Sequence, residues 1–465
     1  MELANISPAH GQLSTLVALI ADATKTVETH FARSSKPHVP SLDDIEPHPL
    51  DIMSDSMELR LAIQTIEGAC AQLIATVARP SHTIFNRCKR STQTFNKVTE
   101  PACINIVVSH KIADLLSEQP ARGMHVSEIS KRTGLHQNKI ERIMRYLATK
   151  HIFRESSDGV FVNNRLSVQL MSSINLGLVS TIHYNTEELL GAITCFNDVL
   201  TDKEWGHSDA PHHTAFNRDT GYPKSLFDYY SGEDTPLGAK LGQRFGISMQ
   251  GWGIASEAST VIYEFPWRDL PKGTTVVDVG SGIGSVTLQL AKQYPALDLT
   301  LQDLPERMYQ ANNEVWPREC PEALAEGRVH FEAIDFFTQS PVPGADIYYY
   351  KNIIHDWEDQ RCITIFKNLR KAMAPHSRVL IHEYVLQDVA RISDDKYVFE
   401  KAPEPLLPNY GVGRVRPYAL DIAMMIMTNS SERRLHDLVK LAAKANLKFV
   451  KLWDLAETSI VEFGV

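Results

Sequence analysis

The sequence predicts an α/β protein, with a doubly wound sheet in its C-terminal part and an all-helical part containing a winged helix before it. From Thr274 onward, short β-branched runs alternate with helical segments, which is typical of a parallel sheet. A glycine-rich turn, Gly280–Gly284, directly follows the first of these runs and opens a helix. Residues from about Ala102 to Asn164 have the helix and hairpin order of a winged helix.

The length and composition are those of an ordinary globular protein with two or three domains. The chain has 465 residues, of which 43% are hydrophobic and 22% charged. We expect N-terminal helices and a linker over residues 1–100, a winged-helix-like domain with connecting helices over 101–265, and a ligand-binding catalytic domain over 266–465. The formal charge of −9 argues against nucleic acid or an anionic membrane as a partner.

The first hundred residues read as two helices joined by a linker. An amphipathic helix is predicted over about Leu13–Phe31 and a second over about Met57–Ala78, with the Pro- and Ser-rich segment Ser34–Ser56 between them. Apolar helices ahead of a domain often pair with another subunit, so these helices indicate a homodimer. The chain starts without a basic region, and Leu13–Ile20 is too short to span a membrane.

The cysteine pattern is that of a protein from a reducing compartment. The six cysteines lie far apart, without a C-x-x-C pair or a zinc-like spacing. Reduced thiols in a cytoplasmic protein are therefore expected.

The winged-helix segment leaves two functions open. Helices are predicted over Ile104–Leu116, from Val126 and over about Gln137–Lys150, followed by a two-stranded wing around the turn Ser156–Gly159. The third helix carries several basic residues, so DNA binding is one alternative. A dimerisation scaffold is favoured, because much of this helix reads as core and the whole chain is acidic. The basic residues are Lys139, Arg142, Arg145 and Lys150.

Five apolar runs form the predicted sheet, after a mostly helical and aromatic stretch over Leu178–Phe265. Ligands of open α/β sheets bind outside the carboxyl ends of the strands, so the residues that follow each run are the candidates for a site. The runs are Val276–Val279, Leu297–Leu301, Val329–Ala333, Ile347–Tyr350 and Val379–Ile381.

The turn after the first strand indicates a nucleoside-binding site. Asp278 stands just before Gly280, Gly282 and Gly284, and a side chain at these glycines would fill the space in which a ligand lies against the backbone. The helix that follows directs its positive dipole end at the turn. Dinucleotide enzymes prefer a third glycine one place later, where this chain has Ser285.

The next two strands end in residues suited to the rest of a nucleoside. Asp303, followed by Leu304, is placed to accept hydrogen bonds from ribose hydroxyls. Asp335 and Phe336 follow the third strand, where a carboxylate can meet the amine of an adenine while the ring packs on it. The alternatives are a helix cap at Asp303 and a capped strand end over a core phenylalanine.

The fourth and fifth strands bring candidates for catalysis to the same edge. The fourth leads into Lys351 and His355, and the fifth ends at Glu383. A histidine in a helical region is usually structural, but its place after a strand end favours a role in the site.

These motifs resemble those of the large, homodimeric class I O-methyltransferases of plant caffeate and fungal secondary-metabolite type. The matching motifs are VVDVGSGIG, LQDLP, IDFF, YYYKNIIHDW, IHEY and, over Asp421–Leu435, DIAMMIMTNSSERRL. The resemblance covers the chain from about Ala102. It implies a Rossmann-like catalytic domain, S-adenosylmethionine as the cofactor and transfer of its methyl group to a substrate hydroxyl.

In that family a histidine is the general base and two acidic residues flank it. Carried over, the base is His355 and the acidic residues are Glu383 and Glu432. A positioned imidazole can take the proton of a phenol as the methyl leaves sulfur, and no metal is required. The loop with His207, Asp209, His212 and His213 has potential metal ligands, but a solvent loop is favoured there.

The chain departs from the family pattern at a few positions. Ser281 replaces a common glycine, Glu432 follows Asn429 sooner than in the plant enzymes, and the insertion Asp388–Arg416 is long and rich in proline. Residues that can line a hydrophobic substrate pocket, or equally belong to the core, are Phe227, Met249, Trp252, Met424, Met425 and Asn429.

Two other functions fit parts of the sequence. Some fungal proteins that resemble O-methyltransferases bind S-adenosylmethionine and assist dehydration or pericyclic reactions without transferring a methyl group, and Lys351 is a natural hydrogen-bond donor for such chemistry. A DNA-binding regulator that senses a small molecule is the second alternative. The complete set of His355, Glu383 and Glu432 favours methyl transfer over both.

Overall fold

The computed structural model describes residues 12–51, 56–81, 83–84, 95–255, 260–391 and 399–465, and the chain forms two compact units. Unit 1 comprises Met1–Asn175 and Gln387–Val415, and unit 2 comprises Leu176–Leu386 and Arg416–Val465. Cys88, part of the predicted linker and part of the insertion lie outside the described residues.

Unit 1 contains six of the α-helices that have described bounds. The helix predicted over Ile104–Leu116 is wrong in one respect, because it is broken at Lys111, which adopts the left-handed conformation with φ 50°. Gly134 ends another helix in the same conformation. The helices are α1 (Gln12–Arg33), α2 (Met57–Val77), α3 (Phe95–Ser109), α4 (Ile112–Ser117), α5 (Val126–Thr133) and α6 (Gln137–Thr149).

The wing has three strands and not the two that were predicted. Strands β1 (Met124–His125), β2 (Arg154–Ser157) and β3 (Val160–Val162) form an antiparallel sheet in the order β1-β3-β2. Two residues are too short a run to show strand periodicity, so β1 left no signal in the sequence.

The basic helix α6 is balanced by acidic neighbours within unit 1. Arg145 forms ion pairs with Glu141 at 2.7 Å, Glu155 at 3.1 Å and Asp158 at 2.7 Å. One of the four basic residues considered for DNA contacts is thus engaged with three carboxylates.

The described part of the insertion packs on the two N-terminal helices. Leu16 of α1 and Ala69 of α2 share a small core with Ala402, Leu406 and Tyr410. The approach is close, since a Cβ atom at Gly68 would overlap the carbonyl oxygen of Tyr410. Insertion and N-terminal helices therefore belong to one packed unit.

Unit 2 begins with helices and continues as a sheet flanked by helices. Its α-helices are α7 (Leu176–His183), α8 (Leu190–Thr194), α9 (Phe196–Thr201), α10 (Ala215–Thr220), α11 (Leu226–Ser231), α12 (Pro236–Ala255), α13 (Thr260–Glu264), α14 (Ser285–Gln293), α15 (Pro305–Gln310), α16 (Trp316–Glu319), α17 (Pro321–Ala325), α18 (Asp359–Ala372), α19 (Arg416–Thr428) and α20 (Leu435–Ala443). Two π-helical turns, Tyr184–Leu189 and Ala311–Val315, interrupt this series.

The main sheet of unit 2 has seven strands and confirms the predicted fold class. Its order is β11-β12-β8-β7-β4-β5-β6, and the five strands from β8 to the edge at β6 are parallel. Short β9 and β10 pair separately. The strands are β4 (Thr275–Val279), β5 (Asp298–Asp303), β6 (Val329–Ala333), β7 (Ile347–Lys351), β8 (Arg378–Glu383), β9 (Val385–Leu386), β10 (Arg433–Arg434), β11 (Lys448–Leu455) and β12 (Thr458–Gly464).

Two strands of this sheet were not predicted. Strands β11 and β12 form an antiparallel hairpin, and β12 adds the hairpin to the edge at β8. The sheet was predicted from the alternation of strands with helices. That pattern does not reveal two strands that follow each other directly as a hairpin at the edge.

None of the helices in the described part of the chain is long and apolar enough to cross a membrane. The five cysteines of this part, Cys70, Cys103, Cys195, Cys320 and Cys362, are free thiols.

Candidate active site

The glycine turn after β4 is held against the end of β5. The backbone N–H of Gly280 donates to the carbonyl of Gln302 at 2.8 Å. The N–H of Gly282 donates to Asp303 Oδ2 and that of Leu304 to Asp303 Oδ1, both at 2.7 Å. Two backbone donors thus orient the Asp303 carboxylate, and its remaining lone pairs are free to accept from a ligand.

Only Gly282 of the three glycines leaves space for a ligand on the turn, since a Cβ atom at Gly280 would overlap the side chain of Ile353. Gly282 has a φ of 58°, and a Cβ atom there would meet nothing within 4 Å. A Cβ atom at Gly284, with a φ of 83°, would instead overlap the side chain of Leu301. Gly282 therefore leaves open space, whereas Gly284 permits tight packing of α14 on the sheet.

Asp278 lies buried below the turn. Its carboxylate accepts a hydrogen bond from the Thr287 hydroxyl on α14. Burial raises the pKa of Asp278 to about 7, and burial lowers the pKa of Lys351 to about 8. Each side chain partly offsets the shift of the other, because their charges attract.

The residues predicted to contact an adenine lie near the same turn, but the Asp335 carboxylate has local partners. Asp335 is exposed, and it accepts from the Phe337 N–H at 3.0 Å and from the Thr338 hydroxyl at 2.9 Å. Phe336 approaches the turn, since its ring lies 3.7 Å from the place of a Cβ atom at Gly280.

His355 lies on a 3-10 turn, Ile354–Asp356, just beyond the end of β7. The residue is 6% exposed, and its Nδ1 lies 2.6 Å from Glu432 Oε1. Its Nε2 lies 3.4 Å from Asp356 Oδ1. Burial alone would lower the pKa of His355, but Glu432, with Asp356, raises it to about 10.

Glu383 holds the backbone of this turn and not the imidazole. Its Oε1 accepts from the N–H of Ile354 at 2.6 Å and from that of His355 at 3.1 Å. Burial raises the pKa of Glu383 to about 7. The two predicted carboxylates therefore differ in what they bind: Glu432 meets the ring and Glu383 the main chain.

Sequence reasoning missed Arg433, which holds the other side of the turn. The guanidinium is buried and donates to the carbonyls of Ile354 and Trp357, both at 2.7 Å. It also pairs with Asp359 at 3.0 Å. The sequence offered one signal, because Arg433 directly follows Glu432.

A short strand pair brings the two glutamates together. Strand β10 lies parallel to β9, with Arg433 opposite Val385. Glu383 precedes β9 by two residues and Glu432 directly precedes β10. The pairing therefore fixes the distance between carboxylates that are far apart in the sequence.

The predicted pocket residues are not all brought together. The Phe227 ring lies 5.5 Å from that of Trp357, which directly follows the turn that carries His355. The Asn429 amide donates to the carbonyls of Ser208 and Ala210 and so is committed to a loop. The other four are half-buried or exposed, namely Met249, Trp252, Met424 and Met425.

In the histidine-rich loop, His213 is held by ring stacking and by a hydrogen bond. The His213 ring stacks on Trp205 with centroids 4.9 Å apart, and its Nδ1 lies 2.8 Å from the Ser208 hydroxyl. Within the described part of the chain, no group of three or more His, Cys, Asp or Glu side chains could hold a metal ion.

Comparison with protein families assigns the class. Residues 249–448 match the O-methyltransferase domain, and residues 92–173 match the O-methyltransferase dimerisation domain. With the sheet and the site at its edge, this match defines an S-adenosylmethionine-dependent methyltransferase. The cofactor of this enzyme is S-adenosylmethionine, as the resemblance of the motifs implied.

Comparison with individual proteins identifies the family of the chain. The chain is 41% identical over 98% of its length to "3-O-methyltransferase 2" of Phanerochaete chrysosporium, of which 98% is covered. It is 32% identical over 89% of its length to "O-methyltransferase gedA" of Aspergillus terreus, of which 88% is covered. The chain belongs to the O-methyltransferase family.

A solved structure extends the likeness in fold. The protein described as "A Pericyclic Reaction enzyme" matches with a TM-score of 0.68 and 19% identity, over 96% of this chain and 99% of its own. At this identity the match supports the fold alone.

Proposed function

We propose that this enzyme methylates a phenolic or enolic hydroxyl of a small secondary metabolite, with His355 as the general base. The observation that carries the proposal is the contact of 2.6 Å between His355 Nδ1 and Glu432. It fixes the tautomer and leaves Nε2 to accept the proton of a hydroxyl. The carboxylate also stabilises the imidazolium that forms.

The cofactor is held, in this proposal, at the carboxyl ends of β4 to β7. When bound, S-adenosylmethionine supplies the methyl group. Asp303 accepts hydrogen bonds from hydroxyls, and the open space at Gly282 admits a ligand close to the backbone. The full set proposed for cofactor binding is Asp278, Gly280, Gly282, Gly284, Asp303, Leu304, Asp335, Phe336 and Lys351.

The backbone contacts of Glu383 support a role in positioning the base. A turn with two N–H groups bound to one carboxylate cannot rotate freely, so the imidazole keeps its place. Alignment of the reacting atoms accounts for much of the acceleration in such reactions. The Phe227 ring, which lies against Trp357 near the turn, suits a flat apolar acceptor.

The second candidate function is a rearrangement assisted by S-adenosylmethionine without methyl transfer. The place of the half-buried Lys351 at the end of β7 favours it, because an ammonium group there can donate a hydrogen bond to a substrate carbonyl. The pairing of His355 with Glu432 favours methyl transfer, since a rearrangement needs no base of this kind.

Label transfer separates the two candidates. The purified protein is incubated with methyl-labelled S-adenosylmethionine and an extract of the producing organism, and the products are compared with those of His355→Ala and of Lys351→Met. We expect a labelled methyl ether that nearly vanishes with His355→Ala. Consumption of a substrate without label transfer, lost in Lys351→Met but kept in His355→Ala, would favour the rearrangement instead.

A further inference from the structure

We propose that Asn368 on α18 is a positioning residue for the cofactor, which holds the segment 335–337 where this segment meets the adenine. The inference rests on the proposed function, because it takes Asp335 and Phe336 as residues that contact the nucleobase. Asn368 acts through this segment and does not itself touch the cofactor.

Two carbonyl groups of the segment accept hydrogen bonds from one buried amide. Asn368 Nδ2 donates to the carbonyl of Phe336 at 3.1 Å and to that of Phe337 at 2.9 Å. The asparagine is 7% exposed. An amide nitrogen has two hydrogens to donate, so both donors of this side chain are used on the segment.

Lys371 fixes the orientation of the amide. Its Nζ lies three residues further along α18 and donates to Asn368 Oδ1 at 2.9 Å. An ammonium group can only donate, so the amide oxygen must face it and the amide nitrogen must face the two carbonyls. The reverse orientation would place donor against donor and acceptor against acceptors.

The core of α18 does not account for a buried asparagine. Burial of an amide costs free energy unless its hydrogen bonds are made, and an apolar side chain would fill the same place without that cost. The hydrogen bonds to the segment therefore explain why an amide is present. The other buried residues of this helix are Cys362, Ile363, Ile365, Phe366, Leu369 and Ala372.

The segment needs such an anchor because it follows the end of an edge strand. The order of the sheet places β6 at its edge, and the N–H of Ile334 still donates to the carbonyl of Asp303 at 2.9 Å. Beyond Ile334 the chain leaves the sheet. The Phe336 ring nevertheless lies 3.7 Å from the place of a Cβ atom at Gly280. Asn368 supplies hydrogen bonds that keep the segment at the glycine turn.

A second side chain of α18 contacts the same segment. The guanidinium of Arg361 lies over the Phe337 ring, 5.0 Å from its centroid. Arg361 precedes Asn368 by seven residues, so both lie on one face of the helix. This face of α18 therefore holds the segment at its backbone and at one of its rings.

The test is the selectivity for the nucleobase, measured as binding without turnover. Calorimetry gives the Kd of S-adenosylhomocysteine and of S-inosylhomocysteine, which carries an oxo group in place of the amine, with the full chain. We expect the wild type to bind the adenosyl compound about tenfold more tightly, because the Asp335 carboxylate accepts from an amine and not from an oxo group. Asn368→Asp, which removes the amide donors, should reduce this preference to about twofold, and Asn368→Gln should restore part of it.

The matched control is Asn217→Asp. The Asn217 amide is also buried, and it also donates to two carbonyls, those of Tyr222 at 2.7 Å and Lys224 at 2.6 Å. This variant loses a comparable pair of hydrogen bonds away from the segment, so it should keep the wild-type preference. If Asn368→Asp does not fold, Asn368→Ala, which introduces no charge, is measured in its place with the same expectation.

The outcomes separate this inference from the proposed function. A wild type without preference, an unchanged preference in the Asn368 variants, or an equal loss of affinity for both compounds would overturn the positioning role. A preference that depends on Asn368, in a protein that transfers no methyl group to any acceptor, would support the inference and contradict the proposed function. Methyl transfer together with a preference that is independent of Asn368 would contradict the inference alone.

Discussion

At the scale of single residues, His355 is subject to two opposing influences. Burial favours the neutral imidazole, whereas Glu432 and Asp356 favour the charged one and raise its pKa to about 10. The raised pKa favours the protonated imidazole, and a protonated imidazole cannot act as a base. In the proposed mechanism His355 therefore loses a proton before catalysis, so we expect the reaction to be sensitive to pH and to positive charge bound nearby.

The first prediction concerns this pH dependence. The value of kcat/KM reports ionisation in the free enzyme, so it should rise with pH from 7 toward 10, by about tenfold per unit. In Glu432→Gln the carboxylate no longer raises the pKa of His355, so the inflection should move to lower pH and the plateau should fall. Measurement of kcat/KM for the wild type and for Glu432→Gln across this pH range tests the prediction. Glu462→Gln, at a buried glutamate paired with Arg378, should retain the wild-type profile, and an unshifted Glu432→Gln profile would contradict the assignment.

The second prediction concerns Arg433, which positions His355 through the backbone. Arg433→Met removes the donors to the carbonyls of Ile354 and Trp357, so kcat should fall about 100-fold, while the Kd of the cofactor stays within about twofold. Steady-state rates and calorimetry measure the two effects. Arg433→Lys should recover part of kcat, and Arg434→Met, at the exposed neighbour, should change neither quantity. A normal kcat in a folded Arg433→Met variant would refute the role.

At the scale of elements, the sequence predicted those parts of the site whose signal is local. The five parallel strands and the glycine turn were found because apolar runs and glycines are contiguous in the chain. Arg433 was missed, since its contacts with the turn depend on the pairing of β9 with β10. A pairing of two short strands leaves no periodic pattern in the sequence, and the split of the predicted helix at Lys111 likewise depends on one residue's backbone conformation.

The third prediction compares two glycines of one turn. In Gly284→Ala the new methyl group overlaps Leu301, so Tm should fall by several degrees. In Gly282→Ala the methyl group meets no protein atom within 4 Å, so Tm should change little apart from the strain at a φ of 58°, while the Kd of S-adenosylmethionine rises about tenfold. Thermal unfolding and calorimetry measure both. Unchanged cofactor affinity in Gly282→Ala would place the ligand elsewhere.

At the scale of the whole molecule, the sequence predicted the fold class correctly but could not show what the insertion packs on. Residues 399–415, which follow strand β8 in the chain, belong to the same unit as α1 and α2. Contacts between segments so distant in sequence have no signature in one chain. The predicted domain boundaries after residues 100 and 265 stay predictions. The expected absence of nucleic acid and membrane partners also stays a prediction.

The fourth prediction concerns the oligomer. Residues 92–173 match a dimerisation domain, so light scattering should give twice the chain mass of 52.2 kDa. If the N-terminal helices contribute, as their exposed apolar residues suggest, Leu13→Glu with Val17→Glu should weaken the dimer. Val450→Glu, at an exposed position of β11, is the control and should leave it intact. A monomeric wild type would contradict the expected homodimer.

The central claim, that His355 is the base of a methyl transfer, is tested most directly by the acidity of the acceptor. Rates of His355→Asn and the wild type are compared on a series of ring-substituted phenols built on the acceptor that label transfer identifies. A base matters most for a phenol that keeps its proton, so the loss in His355→Asn should be at least about 100-fold for the least acidic members and small for those already ionised at the assay pH. An equal loss across the whole series would contradict the claim.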